Sequence, residues 1–176
     1  KHHIEAIHKV DAEVVVGLCC APYTEWTANR GMDIRLFEPE VGFHAPMIYS
    51  VGTRYERCVR STCEATAAPV LPFLLASDMV VRGTFPMPRD VRINMLATAL
   101  SGGRGAILWV GIESLDGEYL NALRQSLEEI RLLQPYVLSG ERADVVVEPH
   151  AARSRRITVD GRDIVVSDAN RLALLR

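Results

Sequence analysis

Three apolar stretches of this chain each end in a polar or aromatic residue and run directly into a helix-like pattern. They lie at residues 42–49 (GFHAPMIY), 70–78 (VLPFLLASD) and 105–113 (GAILWVGIE), and a similar run precedes them at 13–23 (EVVVGLCCAPY). Continuous apolar runs of this length are typical of parallel strands that are covered by helices on both faces. Such folds place their chemistry at the carboxyl ends of the strands, so the sequence predicts where a functional site lies.

Helices are predicted between these strands, because apolar residues recur there at helical spacing. The pattern covers residues 55–66, 88–101 and, most regularly, 118–134. Asp116 is a good N-cap for the last of these helices, and Pro135 is expected to end it.

The alternation of strands and helices favours an α/β fold that forms part of a (β/α)8 barrel. Residues 1–139 hold about four strand–helix units, and a complete barrel needs about 250 residues, or about 31 per unit. A small doubly wound open sheet is the alternative fold. Half a barrel exposes two sheet edges, which is an aggregation hazard. The missing barrel half is therefore expected from the rest of a parent chain, a second copy or another subunit.

The pattern changes near residue 139. Residues 140–176 contain short strand-like segments separated by turn residues, and Asp160-Gly161 is a strong hairpin signal. This second region is predicted to be the start of a small β domain that the chain leaves incomplete.

Composition argues against several classes of partner. The formal net charge is −2 and no basic stripe is present, so nucleic acid is not an expected partner. No apolar run approaches the ~20 residues that a membrane-spanning helix needs. The cysteines lack the spacing of a zinc site and are predicted to be reduced, buried thiols. Neither a metal nor a cofactor is predicted, and the sequence leaves the cellular compartment open.

Four segments together resemble the C-terminal half of a TIM-barrel glycoside hydrolase of the multidomain type, in which a β domain follows the barrel. They read VGFHAPMIYS, PVLPFLLASD, RDVRINMLATALSGGRGAILWVG and DGEYLNALRQSLEEIRLLQPYV. The resemblance covers about residues 13–139. It implies that the chain supplies the fifth to eighth strands of the barrel and acts on carbohydrate or binds it.

Hydrolysis of a glycosidic bond usually needs two carboxyl groups, ~5–5.5 Å apart for retention and ~6.5–9.5 Å apart for inversion. The carboxylates at predicted strand ends are Asp78, Glu113 and Glu25, and these are the candidate catalytic residues. The resemblance implies that the nucleophile lies on the seventh strand, usually as Glu. Asp78 occupies that place here with a shorter side chain.

Aromatic rings near strand ends are candidates for sugar binding, because the C–H faces of sugars stack on such rings. The four candidates are Trp26, Tyr49, Trp109 and Tyr23. Trp109 could instead fill the barrel interior, and His44 is predicted to be a buried histidine with satisfied hydrogen bonds.

Two other functions remain open at this stage. One is a non-catalytic carbohydrate-binding or scaffold module built on a degenerate barrel. It is distinguished from a hydrolase by whether Asp78 and either Glu113 or Glu25 face one cleft. The other is a lyase or aldolase, which would need a lysine at a strand end. The only lysines are Lys1 and Lys9, which disfavours that function.

Overall fold

The structure, a computed structural model, describes residues 2–38, 40–75, 86–109, 116–139, 141–147, 152–159, 162–167 and 171–175. Short parallel strands alternate with helices up to residue 139. In chain order these elements are α1 (His2–Val10), β1 (Gly17–Cys20), α2 (Glu25–Ala28), a 3-10 helix (Ile34–Phe37), β2 (Phe43–Pro46), α3 (Gly52–Ala65), β3 (Phe73–Leu74), α4 (Pro88–Leu100), β4 (Ile107–Leu108) and α5 (Gly117–Ser139). In the described part of the chain, no helix is long and apolar enough to cross a membrane.

The strands form two short parallel sheets. In the first sheet β1 pairs with β2, and in the second β3 pairs with β4. Isolated parallel bridges join His44 to Val70 and Met47 to Phe73, so β2 also runs alongside the segment that contains β3. The carboxyl ends of the four strands therefore point in one direction.

The predicted partial (β/α)8 barrel is wrong. The described residues form only two short two-stranded parallel sheets, close no barrel and make up a small mixed α/β fold. One physical reason is the length of the strands, which is two to four residues although the apolar runs are much longer. Another is proline, which has no N–H for a ladder bond. Pro46 ends β2, and Pro69 and Pro72 precede β3.

Residues after the long helix α5 form a separate antiparallel sheet. Its strands are β5 (Glu141–Val147), β6 (Ala152–Val159), β7 (Arg162–Ser167) and β8 (Arg171–Leu175), paired in that order. The strands that flank Asp160-Gly161 pair antiparallel, as the hairpin signal predicts. The assignment of this region to a domain of its own, with a boundary after residue 139, stays a prediction.

The core lies between the strands and helices α3, α4 and α5. Its largest cluster of buried side chains consists of Ile48, Tyr55, Val59, Leu74, Val91, Ala97, Tyr119 and Leu123. An ion pair joins α4 to α5, in which Arg92 Nε donates to Glu129 Oε2 at 2.9 Å. These contacts pack α3, α4 and α5 against the short strands.

The helix α5 begins as predicted but ends later. Asp116 Oδ1 accepts hydrogen bonds from the backbone N–H groups of Glu118 and Tyr119, at 2.9 and 3.0 Å, which confirms the predicted N-cap. The prediction that Pro135 ends the helix is wrong, because α5 continues through it to Ser139. Proline removes one backbone donor but does not prevent the following residues from remaining helical.

Candidate functional site

Three aromatic rings meet where β2, β3 and β4 end. The ring of Trp109 makes edge-on contacts with the rings of Tyr49 and Phe73, each with a centroid separation of 5.7 Å. The interplanar angles are 89° and 80°, the T-shaped arrangement that aromatic pairs favour. Trp109 nevertheless remains 40% exposed. Tyr49, Phe73 and Trp109 are called the strand-end aromatic cluster below.

Backbone hydrogen bonds between neighbouring strands bring these rings together. The Trp109 N–H donates to the Leu74 carbonyl at 3.1 Å, and the Met47 N–H donates to the Cys20 carbonyl at 2.9 Å. Together with the bridge between Met47 and Phe73, these bonds align the ends of the strands at one edge. Parallel pairing thus explains why Tyr49 and Trp109, 60 positions apart in the numbering, come into contact.

The segment after Tyr49 is held from another helix. Asn94 of α4 donates from Nδ2 to the Ser50 carbonyl at 3.2 Å, and its Oδ1 accepts from the Gly52 N–H at 3.2 Å. The Tyr49 hydroxyl also donates to the sulfur of Met47 at 3.3 Å. The Tyr49 hydroxyl is therefore bonded to the residue that follows β2, and the chain immediately after Tyr49 is bonded to α4.

The contacts of Tyr23 are with α3 and with Arg35. Its backbone is bonded to the third turn of α3, through Thr62 Oγ1 at 3.0 Å and Ser61 Oγ at 2.7 Å. This third turn of α3 lies about 15 Å along the helix axis from the start of α3, which follows Tyr49 in the chain, because a helix rises by about 1.5 Å per residue. The guanidinium carbon of Arg35 lies 5.3 Å from the centroid of the Tyr23 ring. The structure therefore places the Tyr23 ring beside a guanidinium group and its backbone against two side-chain hydroxyls of α3.

Arg35 is in turn fixed by an acidic neighbour. Its Nε donates to Asp33 Oδ1 at 2.8 Å, and a terminal nitrogen donates to Oδ2 at 2.6 Å. This guanidinium lowers the pKa of the Asp33 carboxyl, mainly through the side-chain hydrogen bond.

Two further candidates, Glu25 and Trp26, open the short helix α2 directly after the Tyr23-Thr24 turn. Thr24 starts this helix, since its Oγ1 accepts from the Thr27 N–H at 3.1 Å. The other two candidate carboxylates, Asp78 and Glu113, lie outside the described residues. The structure therefore brings together two of the predicted site residues, Tyr49 and Trp109.

His44 is buried as predicted, but its ring lacks the predicted hydrogen bonds. The residue is fully buried in the middle of β2, and neither ring nitrogen has a hydrogen-bond partner among the residues that the structure describes. Burial lowers the pKa of His44, because an imidazolium ion loses its hydration there, and the Glu38 carboxylate only partly opposes this effect. An unpartnered buried polar group is rare in folded proteins and costs stability.

Other potential ligands do not converge within the described ranges. No group of three or more His, Cys, Asp or Glu side chains could hold a metal ion there. All four cysteines are free, as predicted, but they are less buried than predicted: Cys19 is exposed, and the other three are half-buried. Burial raises the pKa of the adjacent Cys20 thiol to about 12, which keeps that thiol protonated.

Sequence reasoning missed Phe73 and Asn94. Phe73 lies within a recognised apolar run, and its place two residues before the end of LPFLL gave no sign of a contact with Trp109. Asn94 lies in the stretch 88–101, where apolar residues at helical spacing form a stripe along the predicted helix. The sequence signal that could have pointed to Asn94 is a polar side chain next to that apolar stripe.

Comparison of the chain with known protein families gives no match, and comparison with curated proteins gives none either.

Proposed function

We propose that this chain binds carbohydrate at the strand-end aromatic cluster and acts on it as a glycoside hydrolase-like protein. The observation that carries the proposal is the state of Trp109, which is 40% exposed although two neighbouring rings restrict its orientation. Ligand sites in α/β folds typically lie at the carboxyl ends of the strands, and this cluster lies there. The resemblance to glycoside hydrolases supports the same choice of ligand.

A restrained, partly exposed indole suits a sugar because it offers apolar surface at a low entropic cost. Sugars present C–H faces that stack on aromatic rings, and a ring that is already oriented loses little freedom on binding. Tyr49 adds a hydroxyl group at the edge of the cluster, which is bonded to the Met47 sulfur in the free protein. The cluster therefore combines an apolar platform with a polar group, as carbohydrate recognition requires.

The hydrolytic part of the proposal rests on the candidate carboxylates. Asp78 follows β3 and Glu113 follows β4 in the sequence, so both come shortly after strands that contribute to the cluster. In the proposed reaction one carboxylic acid protonates the leaving oxygen, and a carboxylate attacks the sugar or activates water. Glu25, which opens α2, is the third candidate for these roles.

A non-catalytic carbohydrate-binding module is the second candidate function. It is favoured by the composition of the cluster, which consists of aromatic rings and can hold a sugar without any carboxylate. Release of reducing sugar distinguishes the two functions. Hydrolysis by the wild-type protein that is lost in Asp78→Asn supports the hydrolase, whereas binding without hydrolysis supports the module.

Replacing Trp109 by alanine is expected to weaken carbohydrate binding about 30-fold, because truncating a central tryptophan typically costs about 2 kcal/mol of binding energy. Isothermal titration calorimetry with soluble oligosaccharides derived from cellulose, xylan, mannan and chitin measures the effect. The control is Leu132→Ala, which removes a 75% exposed side chain from α5 and should change affinity less than about twofold. The proposal is overturned when no oligosaccharide binds the wild-type protein, or when Trp109→Ala binds as well as wild type.

A further inference from the structure

The inward face of α4 carries polar groups where a core helix usually carries apolar ones. Asn94 and Thr98 of α4 and its C-cap residue Ser101 are spaced for one helix face, and each is at least 94% buried. Each of the three contacts the start of α3 or the residues before it. Asn94 bonds Ser50 and Gly52. The hydroxyls of Thr98 and Tyr55 lie 2.9 Å apart, and Ser101 Oγ donates to Glu56 at 3.4 Å. This row of bonds fixes how α4 lies against α3.

Asn94 has a particular place in the row because it bonds the chain between Tyr49 and α3. The N-cap residue of α3, Val51, has no side chain that can bond the helix backbone, and Gly52 has a positive φ of 61°. The Gly52 N–H is one of the donors that a helix start leaves without a partner in its own helix. Asn94 supplies the missing acceptor from α4, and its amide group also holds the Ser50 carbonyl.

We propose that Asn94 is a positioning residue for the strand-end aromatic cluster. Its two hydrogen bonds fix the segment from Ser50 to Gly52, and this segment sets the placement of the Tyr49 ring against Trp109. Loss of both bonds lets the segment move, and Trp109 then loses one of the two rings that orient it. The predicted effect on affinity rests on the proposed carbohydrate binding, whereas the effect on the rings of the free protein does not.

Thr98 provides a matched control within the same row. Asn94→Leu and Thr98→Val each keep the branching of the side chain and replace its polar atoms by carbon. Both variants leave buried groups without partners, so both are expected to lower the melting temperature. Only the Asn94 variant removes bonds to the segment after Tyr49, because Thr98 bonds Tyr55 and the Asn94 carbonyl.

The first readout is fluorine NMR of the free protein labelled with fluorotryptophan. The chain has two tryptophans, and the Trp109 signal is assigned by its absence from Trp109→Phe. We expect Asn94→Leu to move or broaden the Trp109 signal, and Thr98→Val to leave it in place. An unchanged Trp109 signal in Asn94→Leu, or an equal change in Thr98→Val, would overturn the positioning role. If Asn94→Leu does not fold, Asn94→Asp takes its place. This variant keeps an acceptor for Gly52 but lacks the donor to Ser50, so it is expected to move the Trp109 signal. An unchanged Trp109 signal in Asn94→Asp overturns the positioning role.

The second readout is calorimetric affinity for the oligosaccharide that binds wild type best. We expect about tenfold weaker binding by Asn94→Leu and a change of less than about twofold for Thr98→Val. Equal weakening in both variants would show a merely structural role for Asn94. If wild type binds none of the oligosaccharides, the proposed function fails while the fluorine signal of the free protein still decides the positioning role.

Discussion

Replacing Leu74 by alanine is expected to lower the free energy of unfolding by about 2–5 kcal/mol. Leu74 is fully buried in β3 and belongs to the main core cluster, which also contains Val59 and Leu123. Truncation removes apolar contacts and leaves a cavity that packed helices cannot fill completely. Urea denaturation followed by circular dichroism measures the change.

The control for this prediction is Leu127→Ala on α5. Leu127 is 57% exposed, so its truncation is expected to cost less than about 0.5 kcal/mol. The same small cost for Leu74→Ala would contradict the placement of the Leu74 side chain in the core.

The stability of the protein is expected to fall as the pH drops below about 6.5, and His44 is expected to cause a distinct part of that fall. Its pKa is lowered in the folded state by burial, so the unfolded chain binds a proton at a higher pH than the folded protein does. The contribution of neutral His44 to the free energy of unfolding is fully present above the pKa that His44 has in the unfolded chain. It is lost as the pH falls from there towards the lower pKa that His44 has in the folded protein. Each unit of pKa difference corresponds to about 1.4 kcal/mol.

His44→Leu isolates this effect. Leucine removes two buried ring nitrogens that have no partner in the described part of the chain, so the variant should be about 1–3 kcal/mol more stable than wild type at pH ~8. The difference should grow as the pH falls through ~6.5, because only wild type has to keep a buried imidazole neutral. Urea denaturation at a series of pH values measures both quantities. The exposed His3, replaced by Gln, serves as the control, and parallel pH profiles of wild type and His44→Leu would contradict the role of His44.

The helices are the part of the fold that the sequence predicts best. Periodic apolar residues predict helices over 55–66, 88–101 and 118–134, and α3, α4 and α5 occupy Gly52–Ala65, Pro88–Leu100 and Gly117–Ser139. Local signals explain the accurate starts of α4 and α5, since Pro88 and Asp116 have effects that need no knowledge of the rest of the chain, whereas α3 begins three residues before its predicted start. Pro135 shows the limit of such signals, because α5 continues past it.

The number of residues per strand–helix unit does not show whether the strands close into a barrel. The spacing of about 31 residues per unit is compatible with a barrel, but it carries no information on how many residues of each run pair with a neighbour. The 70–78 run contains nine residues, yet the strand β3 contains only Phe73 and Leu74. Pro72, immediately before β3, and Pro46, at the end of β2, were visible signals that the ladders would be short.

The candidate site was predictable where it depends on strand direction. Parallel strands gather their ends at one edge, and Tyr49 and Trp109 do meet there. Side-chain details were not predictable, because they depend on contacts between distant segments. Asn94 illustrates this: it reaches Ser50 and Gly52, more than 40 residues away, and helical periodicity alone shows it only as a polar residue beside an apolar stripe.

Carbohydrate binding by the strand-end aromatic cluster is tested most directly by a fluorine NMR titration of the wild-type protein with each oligosaccharide. The labelled indole of Trp109 then reports on its own contact with sugar, whereas calorimetry reports on the whole protein. We expect the Trp109 signal to move in a saturable way, with the dissociation constant that calorimetry gives for the same oligosaccharide. A sugar that binds while the Trp109 signal stays in place, or the absence of binding by every oligosaccharide, would contradict the proposal.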